Sequence, residues 1–504
     1  MNEKEPEFYV ESVAEAKKKK REFPQFRSFF AACVLYAVTY TFCRYKNSIG
    51  IFTSIDYFAT IAFVVYSFKL FGYKLKPGFI FTAVSYLLLG LNICQTVDPT
   101  IIVFDRIGGI LVLFTGMLHE CYNDKDWGFG KYFTALNNFF WTSIVHVADP
   151  IIDLNENEKK GKINPNVKYV LIGVLIAIPL AALVLVLLSS ADLMFGKVFK
   201  DFFKKIKIGD IILIVLMVLA VFISAYALLR KLSFHDIREE VKKKKTVNPI
   251  VGITFNSILT FIYLVFSVFQ FVFLFFGAGL PEGYTYAEYA HEGFYQLVAV
   301  SILNLLIVFI SKVIFDKNKF LNAVLALTSL CTFVMIASSM YRMILYIGVY
   351  GLTVLRVLTL WALAVITLIM AAIVLYIFKP EIPVVKIMVM IVTVMYIVLA
   401  YSHPTAIIAN YNMSDYLKTQ QGDLIYIAKF PEATEAFFAG NAVMTEPGYT
   451  ESTKEYYCRA REYYYEHLDK EQYVDYSFRE YNFSFEKIRN FIEAFEKAYP
   501  KELP

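Results

Sequence analysis

Long apolar stretches recur along most of the chain, and about a hundred mostly polar residues follow the last of them. A helix needs about 20 mostly apolar residues to cross the hydrocarbon core of a bilayer. Five of the stretches contain no charged residue: Tyr169–Leu188, Ile211–Leu229, Ile253–Phe276, Phe294–Ile310 and Val357–Ile377. Because no soluble core requires five such uninterrupted runs, the pattern predicts an integral membrane protein with one soluble tail.

The recurrence predicts an all-α fold: a polytopic transmembrane helical bundle of about 11 spans with a small helical C-terminal soluble domain. We expect the spans at Ser28–Cys43, Ile51–Phe71, Phe79–Cys94, Ile101–Leu118, Tyr169–Leu188, Ile211–Leu229, Ile253–Phe276, Tyr286–Ile310, Leu321–Leu345, Val354–Ile377 and Val384–Tyr401. The first four are less hydrophobic than the others, and the first is short enough for a re-entrant or interfacial path. The number of spans within residues 28–120 therefore stays open.

Polar segments divide the chain into five parts. These are a basic cytoplasmic N-terminus (1–27), the first four spans (28–120), a cytoplasmic loop (121–167), a main membrane domain of seven spans (168–401) and an extracytoplasmic helical domain (402–504). An amphipathic helix on the membrane surface is predicted in the loop by the spacing of Phe133, Leu136, Phe140, Ile144, Val147 and Ile151. A similar pattern predicts a second interfacial helix at Lys197–Lys207.

The tail is predicted to be helical. Ser452 followed by Glu455 has the spacing of a capping box, which predicts a helix that ends near His467. A last helix is expected from Ser484 to Ala498. Its buried face is predicted to carry Phe485, Ile488, Ile492 and Phe495. The five tyrosines of the earlier helix are expected to pack in the core and on the surface of the tail. The alternative is that they form a platform that binds carbohydrate or peptide.

The distribution of charge predicts the orientation. The net charge is +5, but the tail from Ser402 onward carries 17 acidic and 11 basic residues and is therefore at −6. Basic clusters lie at Lys17–Arg21 and Arg230–Lys245, and basic loops stay in the cytoplasm. An odd number of spans then predicts a multi-pass plasma-membrane protein with a cytoplasmic N-terminus and an extracytoplasmic C-terminus.

The same charges indicate which partners the protein has. The expected partners are the lipid bilayer, anionic lipid head groups at the cytoplasmic face, and a membrane or cell-envelope protein. We expect no nucleic acid, because the lysines flank hydrophobic spans and do not line a folded face.

The densest polar cluster opens the eighth span, at Pro281–Phe294. On a helix, Glu288 and His291 share a face, and Glu292 lies one turn from Glu288. A Glu-x-x-His pair occurs in carboxylate-bridged metal sites of helical bundles, which need a second such pair on another helix. The membrane part contains no second pair, so we predict no metal site and place these residues at the head-group level.

Three further polar residues lie within the later spans: Asn304, Arg342 and Arg356. A charge within the membrane is unfavourable, which indicates either a function or a buried pair. Near the end of a span, Arg342 can extend its guanidinium group to the interface. Arg356 follows the turn Tyr350–Thr353, and we expect it to pair with Glu288 or Glu292 rather than to take part in catalysis.

Signatures of familiar chemistry are absent from the sequence. The six cysteines form no CxxC pair, and there is no Walker A loop, no His-Glu-x-x-His and no Gly-x-Ser-x-Gly. We therefore predict no cofactor, and the catalytic residues of any enzymatic activity stay unknown.

Four segments together resemble a known family: Leu280–Phe294, Tyr350–Arg356, Ile407–Asn412 and Phe478–Ser484. They are similar to bacterial polytopic membrane proteins of the domain-of-unknown-function families 4153 and 4173, over roughly Tyr169 to the C-terminus. The resemblance adds Thr353 to the candidate polar cluster of the spans. Its tail motif supplies the candidates Asn410, Asn412, Arg479 and Asn482. The family often has arginine where His291 stands, and it implies no established activity, substrate or cofactor.

Three functions are compatible with these patterns. The first is a non-enzymatic sensor, scaffold or assembly partner with an extracytoplasmic tail. The second is a membrane transporter whose path uses Glu288, Asn304, Arg342 and Arg356, which paired inverted halves with broken spans would favour. The third is a membrane-embedded enzyme that acts at the outer face, which convergent polar groups lining an open cavity would favour.

Overall fold

The computed structural model describes residues 25–124, 127–159, 208–233, 247–276, 294–444, 448–468, 472–473 and 476–498, with isolated helical positions between 173 and 188. Within these ranges the chain is all-α, and its one extended pairing is a β-bridge between Val247 and Phe315. The helices are α1 (Phe26–Arg44), α2 (Ile51–Leu70), α3 (Pro77–Asn92), α4 (Pro99–Cys121), α5 (Phe129–Val145), α6 (Asp149–Lys159), α7 (Ile208–Ser233), α8 (Pro249–Phe276), α9 (Phe294–Ile314), α10 (Lys319–Tyr350), α11 (Val354–Phe378), α12 (Val384–Tyr401), α13 (Pro404–Thr419), α14 (Leu424–Ile427), α15 (Thr434–Met444), α16 (Glu451–His467) and α17 (Phe483–Ala498).

Nine of the described helices are long and apolar enough to cross a membrane. They are α1, α2, α4 and the six consecutive helices α7 to α12. Helix α3 is apolar but has only 16 residues, and it matches the predicted third span. The predicted fifth span, Tyr169–Leu188, lies outside the described residues apart from those isolated positions. The prediction of an all-α polytopic bundle is confirmed.

Helix α10 is longer than predicted. Its 32 residues extend to Tyr350, whereas the sequence predicts an end at Leu345. At 1.5 Å per residue the helix is about 48 Å long, and the hydrocarbon core is about 30 Å thick. The helix therefore extends beyond the hydrocarbon core, and Arg342 lies two turns before its C-terminal end.

The chain divides into two compact units, and residues 1–90, 111–124 and 129–239 form the first. Its centre is aromatic, with the ring of Phe29 5.2 Å from that of Phe71 and 5.0 Å from that of Tyr226. The guanidinium group of Arg44 donates to the buried carboxylate of Asp56 at 3.1 Å. A charge inside a span is tolerated when it is paired in this way.

A second buried ion pair in this unit involves Arg230, the first residue of the basic cluster Arg230–Lys245. The residue is 5% exposed. Its guanidinium group donates two hydrogen bonds to Asp153, at 2.5 and 2.8 Å, and Tyr226 donates a third at 2.7 Å. The carboxylate that Arg230 needs lies 77 residues away in α6, so a count of basic residues along the chain does not reveal the pair.

The polar loop contains helices, and the predicted position of an amphipathic helix on the membrane surface stays a prediction. Helices α5 and α6 are joined by a 3-10 turn at His146–Ala148, and they pack on α7. Tyr132 and Ala135 face inward, whereas Phe133 of the predicted apolar face is 66% exposed. The predicted interfacial helix at Lys197–Lys207 lies outside the described residues.

The second unit comprises residues 91–110, 125–128 and 240–504. Its membrane helices α8, α9 and α10 pack through small polar side chains. The amide of Asn256 donates to Ser311 at 3.2 Å, and the hydroxyl groups of Thr260 and Thr328 are 2.6 Å apart. Such residues let helices approach closely and satisfy one another in lipid.

The tail is part of the second unit and consists of α13 to α17. Helix α16 spans the predicted range, but its N-cap is Thr450, whose side chain accepts from the amide of Thr453. The expected cap at Ser452 is therefore wrong by two residues. A capping box forms instead at Ser477 and Glu480.

The last helix agrees with the sequence prediction. Helix α17 buries the four predicted residues and also Phe491. Three of the five tyrosines of α16 pack in the core: Tyr457, Tyr464 and Tyr465.

Candidate functional site

The predicted polar cluster of spans eight to ten is only partly described. Glu288, His291 and Glu292 lie outside the described residues, so their pairing with Arg356 stays a prediction. Asn304 is fully buried in α9, and its amide donates to the hydroxyl of Thr332 at 3.1 Å. Arg342 is 8% exposed within α10.

Arg356 lies in the first turn of α11, directly after the turn that joins α10 to α11. Its guanidinium group donates to the carbonyl oxygens of Tyr350 and Gly351, at 2.9 and 2.5 Å, and lies 4.3 Å from the centre of the Tyr346 ring. A cation at this place complements the carbonyl groups at the C-terminal end of α10. Thr353 caps α11 by accepting from the amide of Arg356 at 3.4 Å.

Asn412 of the tail motif attaches the tail to this turn. Its side-chain oxygen accepts from the amide of Leu352 and its side-chain nitrogen donates to the carbonyl of Leu352, both at 2.8 Å. Gly351 has φ +72° and ψ −174°, a conformation that is essentially restricted to glycine. A Cβ at Gly351 would lie 2.7 Å from the side-chain oxygen of Asn412. The family-like motif Tyr350–Arg356 therefore builds a docking turn.

Asn482 attaches the tail at a second place, the C-terminal end of α3. Its side-chain nitrogen donates to the carbonyl oxygens of Ile93 and Thr96, each at 3.1 Å, and its side-chain oxygen accepts from the amide of Ser484 at 2.8 Å. The neighbouring amide of Phe483 donates to the carbonyl of Cys94 at 2.9 Å.

These contacts satisfy carbonyl groups that a helix end leaves without partners. Asn482 is completely buried. The other two members of the tail motif, Asn410 and Arg479, lie on α13 and in the 3-10 turn Phe478–Glu480, and Asn410 is exposed.

Glu432 is the carboxylate at the centre of this junction. Its Oε1 atom accepts from the hydroxyl of Thr96 at 2.8 Å and from the amide of Val97 at 3.2 Å. Its Oε2 atom accepts from the hydroxyl of Thr405 at 2.6 Å. The Nδ1 atom of His403 lies 3.6 Å from Oε1, and the Glu432 side chain is 5% exposed. One carboxylate therefore joins the loop after α3, the start of α13 and the turn before α15.

A cleft of about 460 Å³ lies beside Glu432. Its polar lining includes Gln95, His403, Glu432, Glu435 and Lys487, with Phe483 on one wall. At its mouth, the Nζ atom of Lys487 in α17 lies 2.9 Å from a carboxylate oxygen of Glu435 in α15. The second unit thus has a concave site with both signs of charge, lined by residues that follow α3 and α12.

The protonation of Glu432 makes this junction sensitive to acid. Burial raises the pKa of Glu432, but the nearby imidazole of His403 and hydrogen bonds from Thr405 and Thr96 outweigh it and hold the pKa below the usual value. A carboxyl group with a depressed folded pKa stabilises the fold above its unfolded pKa, about 4.3, and this contribution is lost as the pH falls through the folded pKa.

We therefore expect the melting temperature of the wild type to exceed that of Glu432→Gln at neutral pH. The difference should shrink as the pH falls below about 4. Thermal unfolding of both proteins in one detergent between pH 7 and pH 3 measures it. A difference that stays constant over this range would contradict the assignment.

Sequence reasoning did not find Glu432 or His403. Thr96, the partner that ties Glu432 to the membrane helices, is 336 residues away. A Pro-Glu dipeptide in a polar tail carries no signal of its own. The weak signal was the Ser402-His403-Pro404 break directly after the last span, where His403 has a left-handed backbone with φ +49°.

Among the residues that the structure describes, no three His, Cys, Asp or Glu side chains are arranged to hold a metal ion. The contacts at this junction are hydrogen bonds and charge interactions between the tail and the rest of the second unit. In their described contacts, Asn412 and Asn482 act as docking residues, because their amide groups bond main-chain atoms of the helix ends.

A family model described as Domain of unknown function (DUF4153) matches residues 78–434. The match begins upstream of Tyr169 and ends before Phe478–Ser484, so the predicted extent differs at both ends. Family 4173, which the sequence also suggested, is not shown. No curated protein and no solved structure matches the chain.

Proposed function

The chain belongs to the family described as Domain of unknown function (DUF4153), and on that premise we propose that it is a non-enzymatic sensor, scaffold or assembly partner of the plasma membrane. In this proposal the tail lies outside the cytoplasm and is docked on the ends of the membrane helices. The observation that carries the proposal is the junction at Glu432, where the tail is held by a buried carboxylate.

The docking contacts favour a mechanical role. They bond the tail to main-chain atoms of the α3–α4 loop and of the α10–α11 turn, through Asn482 and Asn412. A molecule that binds the tail and shifts α13 or α17 would therefore move the ends of membrane helices directly. A sensor needs this kind of coupling between the tail and the membrane helices. A scaffold needs a tail that is held rigidly in place.

The basic residues of the second unit support the orientation. Lys312 donates to the carbonyl of Ile377 at 2.9 Å, at the ends of α9 and α11 that lie away from the docked tail. Lys317, Lys319, Lys379 and Lys386 follow or begin helices at this same end. Because basic loops stay in the cytoplasm, this distribution favours an extracytoplasmic tail. It also favours anionic lipid head groups as partners on the lysine-rich side.

Fusions after Pro504 test the orientation. We expect a reporter enzyme that folds only after export to be active at this position, and one that works only in the cytoplasm to be inactive. The matched fusion after Lys319 should give the reverse result, because that loop lies at the lysine-rich end. Cytoplasmic activity after Pro504 would contradict the topology and with it the proposed function.

The proposed partner is a membrane or cell-envelope protein. A photoreactive side chain in place of Phe478, which is 76% exposed on the tail, should give one defined crosslinked species in living cells. Transport and outer-face catalysis, the other two functions compatible with the sequence, stay predictions.

A further inference from the structure

The cleft beside Glu432 has the features of a ligand site. Its volume of about 460 Å³ falls within the range of small-molecule pockets, roughly 300–1,000 Å³. We propose that it binds a zwitterion that carries a primary ammonium group and a phosphate, as in the head group of phosphatidylethanolamine or in free phosphoethanolamine. This site goes beyond the proposed function and does not depend on the identity of a protein partner.

The charges of the cleft select for a zwitterion. Glu432 and Glu435 provide two carboxylates, and Lys487 and His403 provide the basic side chains. Among the described residues, His403 is the basic group within 4.0 Å of the buried Glu432 carboxylate. Glu432 already accepts hydrogen bonds from Thr96, Val97 and Thr405, so it adds negative charge to the cleft and leaves the exposed Glu435 as the carboxylate that can receive an ammonium group.

The Glu435–Lys487 pair provides one negative and one positive group, which complement the two charges of a zwitterionic ligand. Both side chains are mostly exposed, at 60% and 67%, and they belong to different helices. An exposed pair of this kind contributes little to stability, so its two charges can exchange partners at low cost. Glu435 then receives the ammonium group, and Lys487 receives the phosphate as a flexible point charge.

The position of the cleft favours a lipid as the source of the ligand. Gln95 lies four residues before the start of α4, and His403 lies two residues after the end of α12. Both helices are long and apolar enough to cross a membrane, so these two walls are expected near the level of the head groups. Phe483, which is 51% exposed, gives the same opening an apolar rim.

The backbone at His403 is an independent sign of a ligand clamp. Its φ of +49° and ψ of +66° place a residue other than glycine in the left-handed region. Such strain persists where the surrounding structure fixes it, and it concentrates at ligand clamps. Pro404 follows directly, and the imidazole group of His403 lines the cleft 3.6 Å from the carboxylate of Glu432.

Native mass spectrometry on the full chain tests the proposal. The protein would be released from nanodiscs that contain equal amounts of phosphatidylethanolamine, phosphatidylcholine and phosphatidylglycerol. We expect phosphatidylethanolamine to be retained at least tenfold over phosphatidylcholine, whose quaternary ammonium cannot donate hydrogen bonds. A parallel titration of the detergent-solubilised protein with free phosphoethanolamine, followed by thermal unfolding, distinguishes a lipid from a soluble source.

Two single substitutions are expected to change lipid retention in different ways. Glu435→Gln removes an acceptor of the ammonium group and should move retention towards anionic phosphatidylglycerol. Lys487→Gln removes the phosphate contact and should lower retention of phosphatidylethanolamine by tenfold or more. The matched controls are Glu455→Gln and Arg459→Gln, which remove an equally exposed ion pair on α16 away from the cleft lining; they should leave retention unchanged.

Selective retention of phosphatidylethanolamine, or stabilisation by free phosphoethanolamine alone, supports the zwitterion site and identifies its source. Three results would overturn it. These are equal retention of the three lipids together with no effect of phosphoethanolamine, preferred retention of phosphatidylglycerol by the wild type, and a preference that the Glu435 and Lys487 variants share with the wild type.

Discussion

Replacing Glu432 with Ala is expected to destabilise the second unit by about 3–5 kcal/mol. The carboxylate accepts from the hydroxyl groups of Thr96 and Thr405 and from the amide of Val97. Hydrogen bonds to a charged group contribute about 1.5–3 kcal/mol each, and a buried donor left unsatisfied costs about 1–3 kcal/mol. The change leaves three such donors at the junction.

Chemical denaturation of the detergent-solubilised protein measures this loss. Glu432→Gln keeps the shape and one acceptor oxygen, so its loss should be smaller than that of Glu432→Ala. Glu455→Ala is the matched control, because the Glu455 side chain is 73% exposed and should change stability by less than about 0.5 kcal/mol. If Glu432→Ala behaves like this control, the junction does not hold the tail.

Replacing Arg230 with Ala should destabilise the first unit by about 3–5 kcal/mol, because it leaves the buried carboxylate of Asp153 without its cation. Asp153 is 4% exposed and also accepts from Tyr226. The double variant Asp153→Ala and Arg230→Ala should lose less than the sum of the single losses, since neither charge is then left alone.

Lys46 provides the comparison for this prediction. It forms an ion pair with Asp210 in the same unit, at 2.6 Å, but its side chain is 60% exposed. An exposed pair contributes little to stability, so Lys46→Ala should have a small effect. Equal losses for Lys46→Ala and Arg230→Ala would mean that burial does not decide the strength of these pairs.

The spans could be predicted because the bilayer imposes one length on all of them. Helix α12 was predicted to the residue, and α11 to within one residue of its end. Helix α10 was predicted too short because its last turns continue beyond the hydrocarbon core, where hydropathy no longer marks the helix. The cap of α16 was misplaced because Thr450, Ser452 and Thr453 all offer hydroxyl groups within one turn.

The candidate site was predicted in part. The motif residues Arg356, Asn412 and Asn482 were identified, but the partners described above are main-chain carbonyl and amide groups, which leave no trace in a sequence. Glu432 was missed because the group that defines it, Thr96, comes from the other end of the chain. The burial of Arg230 was not predicted, because charge patterning along the chain does not show burial.

Hydrogen exchange tests the docked tail most directly, in nanodiscs with the full-length chain. The wild type would be compared with Asn482→Ala and with Asn490→Ala, an exposed asparagine on the same helix α17. The docking contacts predict that Asn482→Ala raises exchange by about tenfold or more in residues 93–98 and in the first turns of α17 together, since one side chain bonds both segments. The control should match the wild type. Unchanged exchange in residues 93–98 after Asn482→Ala would contradict the claim that the tail is held on the ends of the membrane helices.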